Sequence, residues 1–209
     1  MAGFRVHAIT AFAVSVSFAS YITISNHFPL PWGGVLCALG FVGGLLPDID
    51  SGEARMARYS GLMVGVVSSL VASLLFLNFF IAMLLFVPFA KLAHLCINKW
   101  TTHRGVFHSV PMGLLLSLGV FYIAELLEFP HPFCLYAAAF LGGGYLVHLT
   151  LDEVWSLRKG ITTHSSFGTA IQFFRMAFWK SFLATYAFLA VAIYRTPFLK
   201  DWIRNMQFF

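Results

Sequence analysis

The feature that most constrains this chain is the length of its uncharged apolar runs, of which residues 62–77 are typical. Such a run is apolar on every side, whereas a helix of a water-soluble protein has one apolar face. Only 10% of the 209 residues are charged, compared with about a quarter in soluble domains. The strands of an outer-membrane barrel would alternate polar and apolar residues, and these runs do not. The sequence therefore predicts an all-α polytopic membrane protein.

The apolar runs predict about seven transmembrane helices in a single domain over residues 1–209, because each run approaches the ~20 residues that cross a hydrocarbon core. The candidate spans are residues 8–25, 33–47, 61–77, 79–97, 110–127, 133–151 and 176–195. A single helix over residues 61–97 would be about 55 Å long, so a hairpin near Asn78 is the better interpretation. Residues 153–175 are predicted to form a basic loop and residues 196–209 a short tail.

The order of these spans predicts which polar residues share a membrane face. An even number of predicted crossings separates His7, the Asp48 segment, the His103 segment and His148, so all of them return to one face. Most of the 13 Lys and Arg residues lie there as well, which makes this face cytoplasmic by the positive-inside rule. Cleavage of a signal peptide within the first span is the less favoured alternative, and it would remove His7. The sequence has no run of Lys and Arg residues, so it does not predict a nucleic-acid partner.

Seven side chains on that face are of the types that bind metal ions. Two aspartates two residues apart follow the second span, two histidines five residues apart lie before the fifth, and a His and an Asp one helical turn apart end the sixth. Each pair alone has an ordinary explanation, such as helix capping, but buried together they are costly unless they bind cations. The predicted ligands are His7, Asp48, Asp50, His103, His108, His148 and Asp152.

A mixed His and Asp ligand set suits divalent metals. Zinc is the expected ion, because it takes nitrogen and oxygen ligands in tetrahedral sites, and manganese or magnesium is the alternative. Seven ligands exceed what one tetrahedral ion requires, so one or two ions are expected.

At these residues the sequence resembles the YdjM-like family of LexA-regulated, membrane-bound predicted metal-dependent hydrolases of bacteria. That family has an early His, a Pro-Asp-x-Asp segment, a His-Arg-Gly-x-Thr-His-Ser loop and a later His-x-x-x-Asp. The corresponding segments here begin at His7, Pro47, His103 and His148. Phe107 stands where the loop usually has Thr, and Ser51 stands where a His usually follows Asp-x-Asp. The resemblance implies a hydrolase with a divalent metal in the bacterial inner membrane.

The resulting hypothesis is a hydrolase that cleaves a lipid-linked phosphoester with metal-activated water at the cytoplasmic face. Arg104 is expected to stabilise charge that develops on a phosphoryl oxygen. His164, Arg158 and Lys159 are candidate substrate contacts, and membrane lipids are the expected partners. The alternatives are a divalent-metal transporter and a non-catalytic membrane subunit with a structural metal site. The sequence indicates no oligomeric state.

Overall fold

The computed structural model of the protein describes residues 4–50, 106–160 and 171–196, excluding the side chains of residues 49, 50 and 156–160. Within these ranges the regular structure is entirely helical, with no strand. The helices are α1 (Phe4–Ser25), α2 (Leu30–Gly43), α3 (Val110–Leu126), α4 (His131–Gly160) and α5 (Trp179–Arg195), with 3₁₀ helices at Leu46–Asp50 and Met176–Phe178. An isolated parallel bridge joins Ser109 to Gln172. The predicted all-α class is confirmed for the described residues.

Two tight turns make antiparallel pairs of α1 with α2 and of α3 with α4. Both turns contain a non-glycine residue with positive φ, His27 at 53° and Glu128 at 61°. Pro31 was predicted to lie before the second helix, but it occupies the first turn of α2. Proline is tolerated there because an amide hydrogen in the first turn has no partner within the helix. α2 ends at Gly43, four residues earlier than predicted, and Pro47 lies in the 3₁₀ helix that follows.

Among the described residues, three helical segments are long and apolar enough to cross a membrane: Phe4–Ser25, His131–Trp155 and Met176–Arg195. The prediction of seven is not supported. α2 has 14 residues and α3 has 17, which gives lengths of about 21 and 26 Å, shorter than a ~30 Å hydrocarbon core. The predicted spans 61–77 and 79–97 lie outside the described residues. α4 continues to Gly160, so the first part of the predicted basic loop 153–175 is helical.

α4 is the central helix, because it packs against α1, α2 and α3, while α5 packs against α3. Ala19 of α1, Leu36 of α2 and both Phe133 and Ala137 of α4 form one buried cluster. The middle of α4 approaches α2 through glycines. A Cβ atom added at Gly144 would collide with the carbonyl oxygen of Gly40 and lie 2.9 Å from the backbone nitrogen of Gly44. The Gly40-x-x-x-Gly44 spacing is typical of membrane helices that pack closely, and this contact brings the end of α2 against the segment that carries His148.

Replacing Gly144 with alanine should destabilise this crossing. The added methyl group cannot be accommodated without separating α2 from α4, and overpacking of this kind costs about 1–3 kcal/mol. Thermal unfolding of the purified protein in detergent, followed by circular dichroism, measures the change. Gly143→Ala is the matched control, because a Cβ there has no described heavy atom within 4 Å. Equal unfolding temperatures for the two variants would contradict the packing described.

Candidate metal centre

Five of the predicted ligand side chains come together in one buried cluster. Four are almost fully buried and Asp48 is 8% exposed, and all five lie among apolar helices. The members, hereafter the His/Asp cluster, are His7, Asp48, His108, His148 and Asp152. Their sequence separations reach 145 residues, so the fold assembles the cluster from four separate segments.

Each segment places its side chain by a local feature of the sequence. His148 and Asp152 lie one turn apart on the same face of α4, as their spacing predicts. Asp48 lies in the 3₁₀ helix Leu46–Asp50, which turns the chain immediately after the close crossing of α2 and α4. His7 lies one turn into α1, on the face buried against the bundle.

The start of α3 positions the fourth segment. Ser109 caps this helix, since its hydroxyl accepts a hydrogen bond from the backbone nitrogen of Met112 at 3.4 Å. The hydroxyl of Tyr145 on α4 donates a hydrogen bond to the carbonyl of Phe107. These contacts hold the backbone on both sides of His108, which is itself 2% exposed.

A hydrogen bond to the backbone decides which nitrogen of His148 faces the cluster. Nδ1 of His148 lies 2.8 Å from the carbonyl oxygen of Gly44. A carbonyl oxygen only accepts hydrogen bonds, so Nδ1 carries the hydrogen and donates it. In the neutral imidazole, Nε2 then presents a lone pair. Nε2 is buried and has no hydrogen-bond partner among the described residues. It therefore offers the cluster a free ligand atom.

Two nitrogens and two carboxylate oxygens face one another at distances that suit a shared cation. Nε2 of His148 is 3.5 Å from Oδ1 of Asp48 and 3.9 Å from Oδ2 of Asp152. Nε2 of His108 is 4.0 Å from the same atom of Asp48 and 3.5 Å from the same atom of Asp152. All four separations exceed the ~2.7–2.9 Å of a charge-assisted hydrogen bond.

Zinc bonds to nitrogen and oxygen are about 2.0–2.2 Å long, so two ligands of one zinc ion lie up to about 4.4 Å apart. Each of the four N–O pairs is therefore close enough to share an ion. The charges agree as well, because two ionised aspartates with neutral imidazoles carry two negative charges, which one divalent cation neutralises. The residues therefore fit a divalent ion held by histidines and aspartates.

His7 contacts the cluster differently. Its Nε2 lies 3.0 Å from Oδ1 of Asp152, the carboxylate oxygen that does not face His108 and His148. At this distance Nε2–H donates a hydrogen bond to the carboxylate. The ring also stacks on that of His148, with centroids 3.9 Å apart and planes inclined by 16°. His7 thus orients both Asp152 and His148.

Two overlapping groups of three side chains can each hold an ion. One consists of His7, Asp48 and His148, and the other of His108, His148 and Asp152. His148 belongs to both, although its Nδ1 is already bonded to Gly44. His148 therefore has only Nε2 left to bind a metal, and one nitrogen binds one ion, so a single ion between the two groups is the simplest arrangement.

Several predicted site residues are not covered by this geometry. Arg158 and Lys159 lie in the last turn of α4, and their side chains are not described, nor is that of Asp50. His103, Arg104 and His164 lie outside the described residues. Gly44 and Tyr145, which hold His148 and the His108 segment, are not recognisable as site residues from the sequence. The Gly40-x-x-x-Gly44 pattern indicated a close helix contact, but no sequence signal reveals which carbonyl a histidine bonds.

Comparison with known families agrees with the motif resemblance. The sequence model described as YdjM inner membrane protein matches residues 1–203. No curated protein and no solved structure matches the chain. The family match covers nearly the whole sequence and includes every member of the His/Asp cluster. The chain belongs to the YdjM inner membrane protein family.

Proposed function

We propose that this protein is a metal-dependent hydrolase of the bacterial inner membrane, with zinc as its ion. The observation that carries the proposal is the buried convergence of the His/Asp cluster, in which ring nitrogens of two histidines face carboxylate oxygens of two aspartates. Such an arrangement is unfavourable in an apolar interior unless a cation binds between the acceptors. A bound divalent ion supplies an activated water and polarises the bond to be cleaved.

The residues of the chain perform separate tasks in this proposal. His108, His148, Asp48 and Asp152 hold the ion. The carbonyl of Gly44 fixes the ring of His148, and His7 fixes the carboxylate of Asp152. Partners of this kind orient metal ligands, and the carbonyl of Gly44 also increases the basicity of His148. Asp48 is the most exposed member of the cluster, so we assign the approach of substrate to its side.

The proposed substrate is a lipid-linked phosphoester at the cytoplasmic surface. A site built among apolar helices favours a substrate that is itself in the membrane. Arg104 is proposed to neutralise charge on the phosphoryl oxygens, and His164, Arg158 and Lys159 to contact the anionic headgroup.

A non-catalytic subunit with a structural metal site is the second candidate. Its support is the number of protein ligands, since four close a tetrahedral zinc site, whereas catalytic zinc usually has three and an open position. A divalent-metal transporter has less support, because its ligands would line a path near mid-span. His148 and Asp152 lie in the last third of the candidate span His131–Trp155.

Replacing His148 with asparagine should abolish metal binding while leaving the fold intact. The amide nitrogen of asparagine can still donate to Gly44, but the variant has no counterpart of Nε2. Elemental analysis after purification and dialysis against zinc should give about one zinc per chain for the wild type and background for His148→Asn. His131→Asn, an exposed position on the same helix, should bind zinc normally. Full zinc content in His148→Asn would refute the assigned centre.

His7 should affect metal affinity without being required for metal stoichiometry. His7→Ala removes the donor to Asp152 and should weaken zinc binding by about 10–100-fold. His7→Gln supplies an amide donor near the position of Nε2 and should restore most of that affinity. Competition titration with a zinc chelator measures both values. If the two variants lose zinc equally and completely, His7 is a ligand rather than an orienting partner.

Hydrolysis should depend on the ion and on Asp48. The test uses phosphatidylglycerol in mixed micelles and the soluble diester bis(p-nitrophenyl) phosphate. Chelation should abolish turnover and added zinc should restore it. Asp48→Asn should lower turnover by more than about 100-fold, the upper range for changes that only disturb ligand orientation. A zinc-loaded protein that hydrolyses neither compound, and that unfolds on chelation, would favour the structural subunit.

A further inference from the structure

A groove runs along the outside of the bundle between α1 and α4, beside the part of α4 that precedes His148. Its volume is 390 Å³. α1 contributes Val14, Phe18 and Ile22, and α4 contributes Tyr136, Phe140 and Val147. Apart from the hydroxyls of Tyr136 and Ser15, the side chains that line it are apolar.

The two ends of the groove differ. At one end lie Val147, the residue before His148, and Gly144, one helical turn before it. At the other end the hydroxyl of Tyr136 lies 3.5 Å from Oδ1 of Asn26, in the turn that joins α1 to α2. The groove therefore extends from Val147, next to His148 in the sequence, towards the start of α4.

The groove is open because small residues line its α4 side. Ala139 and Gly143 are exposed, and a Cβ added at Gly143 would have no described heavy atom within 4 Å. On α1, Phe18 lines the groove and is 60% exposed, so its side chain does not fill the space between the helices.

The two walls of the groove belong to helices that are long and apolar enough to cross a membrane. Large apolar side chains elsewhere on these two helices, such as Ile9, Phe12 and Leu146, are exposed. A cavity continuous with such a surface opens to lipid tails rather than to water. From Tyr136 to Val147 it measures about 16 Å along the helix axis, which matches the ~15 Å depth of one leaflet of a ~30 Å hydrocarbon core.

We propose that this groove binds one acyl chain of a membrane lipid and directs the phosphoester of that lipid to the His/Asp cluster. The assignment of this lipid as substrate depends on the proposed hydrolase function, whereas acyl-chain binding does not. The groove positions the scissile bond, because a tail held along α4 restricts the headgroup to the region beside His148.

Filling the groove tests the proposal. Gly143→Phe places a ring in the open space, and Ala139→Leu is a second, milder obstruction. Gly119→Phe is the matched control, since Gly119 lies on α3 outside the groove and a Cβ there also has no described heavy atom within 4 Å. Zinc content and unfolding temperature identify variants that retain the fold. If Gly143→Phe fails that check, Ala139→Leu decides the test.

The first readout is lipid binding, measured by native mass spectrometry after incubation with phosphatidylglycerol. The wild type and Gly119→Phe should retain one more bound phospholipid than either obstructed variant. An unchanged number of bound lipids in folded Gly143→Phe and Ala139→Leu would overturn the proposal, whatever the enzymatic activity.

The second readout separates this proposal from the proposed function. Obstruction should lower turnover of phosphatidylglycerol by roughly tenfold or more, because the scissile bond is no longer held in place. Turnover of soluble bis(p-nitrophenyl) phosphate should not change. Equal loss on both compounds would contradict a positioning role for the groove. If the wild type hydrolyses neither compound, the hydrolase function fails and the lipid count alone decides whether the groove binds an acyl chain.

Discussion

The hydrogen bond from Nδ1 of His148 to the carbonyl of Gly44 is the interaction on which the rest of the site depends. It determines the tautomer of His148 and so turns the lone pair of Nε2 towards Asp48 and Asp152. It also links α4 to the end of α2, from which the chain turns into the 3₁₀ helix that carries Asp48. This one hydrogen bond therefore leaves Nε2 of His148 free to bind a metal and also helps to place Asp48 beside it.

This bond requires an unusually close approach of two helix backbones. Gly144 permits it, because any larger residue would collide with Gly40 and approach Gly44 too closely. In a membrane, helices gain little from burying apolar surface against each other, and small residues allow the close packing that stabilises their association. The glycine crossing and the His/Asp cluster are thus parts of one arrangement, because close packing of α2 and α4 places the carbonyl oxygen of Gly44 within hydrogen-bond distance of His148.

Much of this arrangement could be predicted from the sequence. Apolar runs located α1, α3 and α5 closely, and the i, i+4 spacing placed His148 and Asp152 on one face. The predicted crossings, two of which lie outside the described residues, grouped His7, Asp48 and His108 with them, and the structure brings all five side chains together. Helix lengths were less predictable, since Pro31 begins a helix instead of preventing one and α4 continues through charged residues to Gly160.

Ligand roles were least predictable, because spacing indicates the face of a helix but not which histidine nitrogen bonds a carbonyl. The separate role assigned to His7 follows from one 3.0 Å distance that no pattern encodes.

X-ray absorption at the zinc edge of the purified, zinc-loaded protein shows whether the buried histidines and aspartates hold a divalent ion. We expect the zinc ion to have only nitrogen and oxygen neighbours, at about 2.0–2.2 Å, with the outer-shell scattering of imidazole rings. Sulfur neighbours at about 2.3 Å, or a spectrum without imidazole scattering, would contradict it.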